Sequence, residues 1–207
     1  MKEGHDIRTL LESCLAATPG IIGAAYFGSG ATNSSDRYSD IDLVVGSEGG
    51  AAADFLLRLH GALPIVLFRP FTEDRRPAGR YWFSEANPFA RLDVSFYRPD
   101  DWQNVLSEGR AFAQPPFRPV STGSRRQSGP SAGRLPSWSP LDHAFAGALR
   151  RFHESAKALA RRRPPKHEIE ESEESLRGFE SKGVRCEAWA LYARSLEVIG
   201  RSASQHF

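Results

Sequence analysis

Two apolar runs joined by a turn-rich polar segment constrain the fold of this chain more than any other feature. Residues 24–27 read AAYF, residues 28–39 contain two Gly, four Ser, one Asn and one Asp, and residues 43–45 read LVV. Short apolar runs bounded by turn-forming residues are typical of buried β-strands. Residues 21–27 and 40–45 are therefore predicted as two strands of one sheet.

The second predicted strand carries two carboxylates on one face. Successive side chains of a strand point to opposite faces, so Asp40 and Asp42 project together while Ile41 faces the other way. Adjacent carboxylates repel each other unless a cation lies between them, and hard oxygen ligands suit Mg²⁺. The pattern therefore predicts either a divalent-metal site or, as the alternative, a solvated pair of acidic side chains.

A third carboxylate and a glycine turn favour the metal site. Residues 91–97 alternate, with three apolar side chains on one face and Asp93 on the other. If this strand lies beside the second one, Asp93 completes a cluster of three carboxylates, which can hold two metal ions about 3.5–4 Å apart. Upstream, Gly28 allows backbone to approach a phosphate closely, and a short helix predicted after Ser29 presents N–H groups to it.

The order of these features resembles a known superfamily over residues 20–98. A glycine-serine turn followed by the motif Ser-Asp-Ile-Asp and aliphatic residues is similar to the nucleotidyltransferase superfamily that includes DNA polymerase beta. Small bacterial antibiotic nucleotidyltransferases, of the lincosamide and aminoglycoside kind, look closest. The resemblance implies that Asp40 and Asp42 are paired metal ligands, that Asp93 is the third carboxylate, and that Gly28 and Ser29 bind phosphates.

The activity implied by the resemblance is Mg²⁺-dependent nucleotidyl transfer. Such an enzyme uses two Mg²⁺ ions to move a nucleoside monophosphate from a nucleoside triphosphate, here expected to be ATP, to an acceptor hydroxyl. A small-molecule acceptor such as an antibiotic fits the chain length, because little chain is left to grip a nucleic acid. Two alternatives stay open: adenylylation of a protein partner, as in toxin–antitoxin pairs, and a relative that binds nucleotide without turnover.

The sequence departs from the family pattern near the phosphate-binding turn. Many members carry an Arg or Tyr directly after the serine and a second glycine a few residues later, where this chain has Gly30 and Asn33. Asn tolerates a positive φ better than most residues, so the turn can be kept. The departure leaves open which cation meets the triphosphate.

Composition narrows the cellular setting. The chain has 207 residues, 40% of them hydrophobic and 25% charged, with a net charge of +2. A near-neutral balance argues against a nucleic-acid partner, which usually requires clustered basic residues. No apolar run approaches the roughly 18 residues of a membrane span, and no leader peptide is expected. We expect a cytoplasmic protein with no membrane partner, in which Cys14 and Cys186 are free thiols.

The predicted fold class is α/β (α+β), a small mixed β-sheet flanked by helices with a C-terminal helical bundle. Residues 1–108 are predicted as the catalytic domain, with helices at 5–18 and 51–60, strands at 64–68 and 81–83, and a hairpin-like loop over 69–80. Residues 109–139 are predicted as a Pro-, Ser-, Gly- and Arg-rich loop or linker. Residues 140–207 are predicted to be helical, and they either pack on the sheet or form a homodimer with a second copy. Helical spacing predicts inward-facing apolar stripes that include Phe145, Leu149, Phe152, Leu159 and Leu196.

Two charged segments are open to two interpretations each. The arginines of the 109–139 segment either bind substrate phosphates as part of a lid or are solvent-exposed residues of a linker; they are Arg118, Arg125, Arg126 and Arg134. The acidic run over residues 168–174 either begins a solvated helix, where acid complements the helix dipole, or lines a site for a cationic acceptor such as an aminoglycoside. The general base is not identified by the pattern, although Asp93 is one candidate.

Overall fold

The computed structural model describes fourteen stretches of the chain, which contain both helices and strands. The described residues are 7–32, 34, 36, 39–73, 76–83, 89–109, 113, 115–120, 138–161, 163–165, 169–180, 182, 184 and 186–204. In chain order the elements are α1 (Ile7–Ala17), β1 (Ile21–Tyr26), a 3-10 turn (Gly28–Gly30), β2 (Ile41–Ser47), α2 (Ala51–Ala62), β3 (Ile65–Glu73), β4 (Arg76–Phe83), β5 (Arg91–Tyr97), α3 (Pro99–Glu108), β6 (Arg118–Val120), α4 (Pro140–Ala160), α5 (Ile169–Arg177) and α6 (Cys186–Ser204).

The six strands in the described residues form one mixed sheet in the order β3-β4-β5-β2-β1-β6. β2 pairs with β5 in parallel, whereas β1 pairs antiparallel with both β2 and β6. A parallel pair requires a crossover, which here runs through α2, β3 and β4. The predicted class, a mixed sheet with flanking helices, is confirmed.

Two strands extend through a segment that was predicted as a loop. The prediction of a loop over residues 69–80 is wrong, because β3 continues to Glu73 and β4 begins at Arg76. Prolines in this segment favoured the loop prediction. Pro70, however, lies on the edge strand β3, where a missing N–H is tolerated. Pro119 is accommodated in the same way on the other edge strand, β6, which lies within the predicted loop 109–139.

The chain divides into two compact units. The first comprises residues 1–64, 70–80 and 91–136, and the second comprises residues 65–69, 81–90 and 137–207. β3 and β4 contribute residues to both units. The division at residues 108 and 139 stays a prediction.

The first unit buries both faces of its strands. On one face, Phe55 of α2 contacts Phe96 of β5, with ring centroids 6.0 Å apart. Ile41, Leu43 and Val45 are buried, as the alternation predicted. The opposite face packs against α3 through an apolar cluster formed by Ala25, Phe27, Val44, Tyr97, Trp102, Val105 and Ala113. Buried residues on α1, among them the free thiol Cys14, confirm the predicted first helix.

Trp102 of α3 fixes that helix against two glycines. Gly23 and Gly46 are partners in the β1–β2 register, and the Trp102 indole lies close to both. A Cβ added at Gly46 would meet the ring at 2.7 Å, and one added at Gly23 would meet it at 2.8 Å. Only glycine permits this close approach at either position.

The second unit is held by an apolar core between α4 and α6. Phe145, Leu149 and Phe152 are buried as their helical spacing predicted. Leu159 and Leu196, predicted to face inward, are 43% and 37% exposed. Leu159 lies in the last turn of α4, and beside Leu196 the buried position is taken by Ser195, which hydrogen-bonds His153 at 2.8 Å.

Helix ends in this unit follow simple capping rules. Ser139 accepts a hydrogen bond from the Asp142 backbone N–H, and the Asp142 carboxylate accepts one from the Ser139 N–H. This reciprocal box satisfies two of the otherwise orphaned donors at the start of α4. None of the helices in the described stretches is long and apolar enough to cross a membrane.

Candidate functional site

The register of β2 with β5 brings the three predicted carboxylates to one face of the sheet. Asp42 and Asp93 are Cα partners in this parallel pair. Directly paired residues on neighbouring strands point to the same face, and Asp40 shares it because it lies two residues before Asp42. The side-by-side strands assumed from the sequence are thus present, while the role of the carboxylates in metal binding stays a prediction.

The glycine turn lies against the same cluster. Phe27 N–H donates to the Asp42 carbonyl oxygen at 3.2 Å, which carries the β1–β2 pairing up to the turn. Gly28 has a φ of +59°, and a Cβ added there would lie 3.0 Å from Asp42 Oδ2. The positive φ favours glycine at this position, and a larger residue would press on the Asp42 carboxylate. The turn predicted as a phosphate site therefore directly adjoins a predicted metal ligand.

The segment after Ser29 differs from the helix predicted there. A single 3-10 turn spans Gly28–Gly30, and the N–H groups of Ala31 and Thr32 donate to the Gly28 carbonyl oxygen. The Thr32 hydroxyl also bonds the Ser34 hydroxyl at 2.7 Å. Such side-chain bonds compete with helix formation and favour turns. Asn33, one of the departures from the family pattern, lies outside the described residues.

Two arginines contact the carboxylates. Arg80 binds Asp93 through two hydrogen bonds, Nε to Oδ1 and Nη2 to Oδ2, each 2.7 Å long. Arg91 donates from Nη2 to Asp40 Oδ2 at 2.6 Å, and its Nε lies 3.4 Å from Asp93 Oδ1. Two guanidinium groups thus offset the charges of Asp40 and Asp93. The repulsion expected from sequence is largely compensated within the protein.

Burial divides the cluster into a fixed part and an accessible part. The side chains of Arg80 and Asp93 are 8% and 2% exposed, so their pair is buried. The Arg80 guanidinium also lies over the Phe71 ring, 5.2 Å from its centroid. Asp40 is more open, at 19% exposure of its side chain, and Asp42 is half-buried. A ligand from solvent would therefore reach Asp40 and Asp42 before Asp93.

The donor chemistry of the site fits Mg²⁺. This ion is usually held by one or two carboxylates together with waters and substrate phosphates. Asp40 and Asp42 supply such oxygens at the accessible side. Both oxygens of Asp93 accept from Arg80, although a carboxylate oxygen has a further lone pair. Within the described stretches, no three His, Cys, Asp or Glu side chains are already arranged around one metal position.

Sequence reasoning missed both arginines. Arg91 precedes Asp93 by two residues and so shares its strand face, a signal that the alternation contained. The sequence pattern does not identify Arg80, because the segment over residues 69–80 is predicted as a loop. The pairing of Arg80 with Asp93 depends on the neighbouring position of β4 and β5, which only the folded sheet provides.

Two further cations lie near the turn on the other face of the sheet. Tyr26 pairs with Leu43, so its side chain projects away from the face that carries Asp42. Arg8 and Arg118 lie over the Tyr26 ring, 5.4 Å and 4.9 Å from its centroid. Burial, and secondarily the neighbouring Glu12, raises the pKa of the Tyr26 hydroxyl, which donates to Glu12 at 3.0 Å.

Arg8 approaches the position where the family pattern usually has a cation. A Cβ added at Gly30 would lie 3.7 Å from Arg8 Nη2. Arg118, one of the four arginines that could belong to a lid, lies on β6 and contacts Tyr26. The other three arginines of that segment, Arg125, Arg126 and Arg134, lie outside the described residues.

The acidic run is partly engaged in structural contacts. Glu173 of α5 accepts from Arg177 at 2.9 Å and from the Tyr192 hydroxyl at 3.0 Å. Glu170 and Glu171 lie in the first turn of α5, where acid complements the helix dipole. Part of the acidic run therefore stabilises α5 and its contacts. A site for a cationic acceptor stays a hypothesis.

Comparisons with known proteins add no family to these observations. No protein-family model matches the chain, and no curated protein matches it either.

Proposed function

We propose that this protein is a Mg²⁺-dependent nucleotidyltransferase that moves a nucleoside monophosphate from ATP, or another nucleoside triphosphate, to a hydroxyl group of a small molecule. One observation carries the proposal. Asp42 is paired with Asp93 across parallel strands, and Asp42 also lies against the Gly28 turn. Carboxylates for a metal and backbone for a phosphate thus meet at one place, which is the combination that nucleotidyl transfer requires.

Each residue of the site has a role in this proposal. Asp40 and Asp42 hold Mg²⁺, which when bound neutralises charge on the phosphates and favours in-line attack at the α-phosphorus. Gly28 lets the β- and γ-phosphates approach the backbone, because it has no side chain in the way. Ser29 offers its hydroxyl to the same phosphates. Asp93, the third carboxylate, is held in a fixed orientation by Arg80.

The acceptor is proposed to be a small hydroxylated compound, with an antibiotic as the leading class. A protein acceptor is the alternative within the same chemistry. Both share the attack of a hydroxyl oxygen on the α-phosphorus with release of pyrophosphate, so the site itself does not distinguish them. The distinction requires a panel of acceptors.

A nucleotide-binding protein without transfer is the second candidate, and one observation favours it. The ion pairs of Arg80 with Asp93 and of Arg91 with Asp40 compensate the carboxylates without any metal. Repulsion among the carboxylates is thus no argument that a metal must be present. In this candidate the cluster stabilises the sheet and the turn holds a nucleotide.

A transfer assay separates the two candidates. The protein is incubated with α-³²P-labelled ATP and Mg²⁺ against aminoglycosides, lincosamides and candidate proteins, and nucleotide binding is measured in parallel by calorimetry. We expect a labelled acceptor from the parent protein and from Asp54→Asn, a control that removes an acid from α2, but none from Asp42→Asn. Binding without any labelled product supports the second candidate, and the absence of Mg²⁺-nucleotide binding contradicts both.

A further inference from the structure

Arg91 occupies the position of a counter-ion within the carboxylate cluster. Its side chain is almost fully buried, its Nη2 lies 2.6 Å from Asp40 Oδ2, and its Nε lies 3.4 Å from Asp93 Oδ1. One guanidinium thus contacts two of the three carboxylates, from two neighbouring strands. In this structure it provides the neutralisation that a metal cation would provide when bound.

A metal ion and Arg91 compete for Asp40. A divalent cation on the Asp40 carboxylate, together with Arg91, would place three positive charges against one negative charge, and like charges at such distances repel strongly in a partly buried site. Either the metal binds weakly or the guanidinium gives up Asp40. Metal without nucleotide is therefore disfavoured by the structure as it stands.

Among its described contacts, Arg91 would lose the shorter ion pair by giving up Asp40, which lies 2.6 Å away against 3.4 Å for Asp93. Leaving a buried guanidinium without a full counter-ion is costly. Asp93 is a weaker substitute, because its charge is already shared with the bidentate Arg80 and its Oδ1 lies 3.4 Å from Arg91 Nε. The missing anion can arrive with the substrate, since phosphate oxygens are strong partners for the planar fork of arginine.

We infer that Arg91 couples metal binding to nucleotide binding, because the phosphate of a nucleoside triphosphate replaces Asp40 as the partner of its guanidinium. This inference rests on the proposed function and adds an order of loading to it. Metal alone binds weakly, whereas metal and nucleotide together bind tightly. Coupling of this kind is reciprocal, so each ligand strengthens the other by the same factor.

Arg80 differs from Arg91 and is expected to stay in place. It binds one carboxylate through two parallel hydrogen bonds and lies over the Phe71 ring. Bidentate geometry and burial make this pair the rigid support of the cluster. The exchange of partners is therefore assigned to Arg91 alone.

The test measures two binding constants on the full chain. Mn²⁺ binding without nucleotide is followed by electron paramagnetic resonance of free Mn²⁺, and binding of Mg²⁺ with a non-hydrolysable ATP analogue is followed by calorimetry. The variants are Arg91→Met and Arg91→Lys, and the control is Arg98→Met, which removes an exposed arginine just after β5. Melting curves confirm that each variant is folded.

Opposite shifts of the two constants are expected. In Arg91→Met the dissociation constant for Mn²⁺ alone falls about tenfold and that for the Mg²⁺-nucleotide rises about tenfold, within the usual range of coupling between sites. Arg91→Lys shifts both in the same senses by less, and it decides the matter if Arg91→Met does not fold. Arg98→Met leaves both constants unchanged.

The inference and the proposed function fail in different ways. If the parent binds the Mg²⁺-nucleotide but the Arg91 variants leave Mn²⁺ affinity unchanged or weaken it, the coupling is overturned and the proposed function stands. If Arg91 has a purely structural role, its variants should bind both Mn²⁺ alone and the Mg²⁺-nucleotide more weakly, and that result also overturns the coupling. If the parent binds no Mg²⁺-nucleotide, both are overturned.

Discussion

Asp42 and Asp93 are partners in the parallel register of β2 with β5, although a helix and two strands separate them along the chain. This pairing, rather than any local motif, places the carboxylates side by side. The Gly28 turn then reaches the same point from β1. The candidate site is thus a product of three adjacent strands of the sheet.

The substitution Asp42→Asn should abolish nucleotidyl transfer while leaving the fold intact. The loss of one ligand is expected to remove several kcal/mol of transition-state stabilisation, on the order of 10³-fold in rate. The melting temperature of the metal-free protein should rise slightly, because one of three neighbouring negative charges is removed. A radiolabel assay and thermal scans check both, with Asp54→Asn as the control; retained transfer would contradict the role of Asp42.

Gly28→Ala should disrupt the turn. Alanine at a φ of +59° is strained by roughly 1 kcal/mol or more, and its Cβ would press on Asp42 Oδ2 at 3.0 Å. We expect weaker binding of the Mg²⁺-nucleotide, measured by calorimetry, with a small loss of stability. Gly49→Ala is the control, because open space surrounds that position. Equal binding by the two variants would show that the turn holds no phosphate.

Arg80→Met should destabilise the first unit strongly. It leaves the Asp93 carboxylate buried without its bidentate partner, and removing one member of a buried ion pair typically costs about 3–5 kcal/mol. The double variant Arg80→Met with Asp93→Asn should recover most of that loss, since no unpaired charge remains. Denaturant unfolding of the two single variants and the double variant measures the coupling; additive effects would mean that the pair is energetically unimportant.

Gly46→Ala should separate α3 from the sheet. The added Cβ would lie 2.7 Å from the Trp102 ring, and overpacking of this kind costs roughly 1–3 kcal/mol. Gly61→Ala in α2 has nothing within reach and should instead stabilise the helix by about 0.5–1 kcal/mol. Thermal unfolding compares the two, and the same sign of effect in both would contradict the packing described for Trp102.

The second unit should lose stability in alkali through Tyr192. Burial, followed by the hydrogen bond to Glu173, raises the pKa of this hydroxyl to about 12. A pKa above the unfolded value of about 10 favours the neutral form in the folded state. The associated stability is complete below pH about 10 and falls as pH rises toward 12. Phenolate absorbance should show a titration near 12 that Tyr192→Phe removes; an unchanged titration in that variant would contradict the assignment.

The sequence was informative about the strands and the faces of the site. Alternation around Asp40, Asp42 and Asp93 identified which side chains share a face, because the period of a strand is fixed by its geometry. The positions of β1, β2 and β5 followed from the same apolar runs. The register of the strands and their order in the sheet could not be predicted from the sequence, since neither is a property of one segment.

The sequence was less informative where a position depends on distant partners. Arg80 lies on β4, in a segment whose prolines and charged residues are typical of a loop. The hydrogen bond of Arg80 to Asp93 could therefore not be predicted from the sequence. Helical spacing placed Leu196 inward, but Ser195 occupies the buried position because His153 provides a hydrogen-bond partner there. Burial of polar groups is decided by such partners, which a hydrophobic pattern does not register.

The most direct test of the central claim is the melting temperature of the parent and of Asp42→Asn with and without Mg²⁺ and a non-hydrolysable ATP analogue. A ligand that binds only the folded state raises stability by about 2.7 kcal/mol at a hundred times its dissociation constant. The parent is expected to gain stability when both ligands are present together, and Asp42→Asn is expected to gain little. Equal melting temperatures of the parent with and without the two ligands would contradict a metal-nucleotide site at these carboxylates.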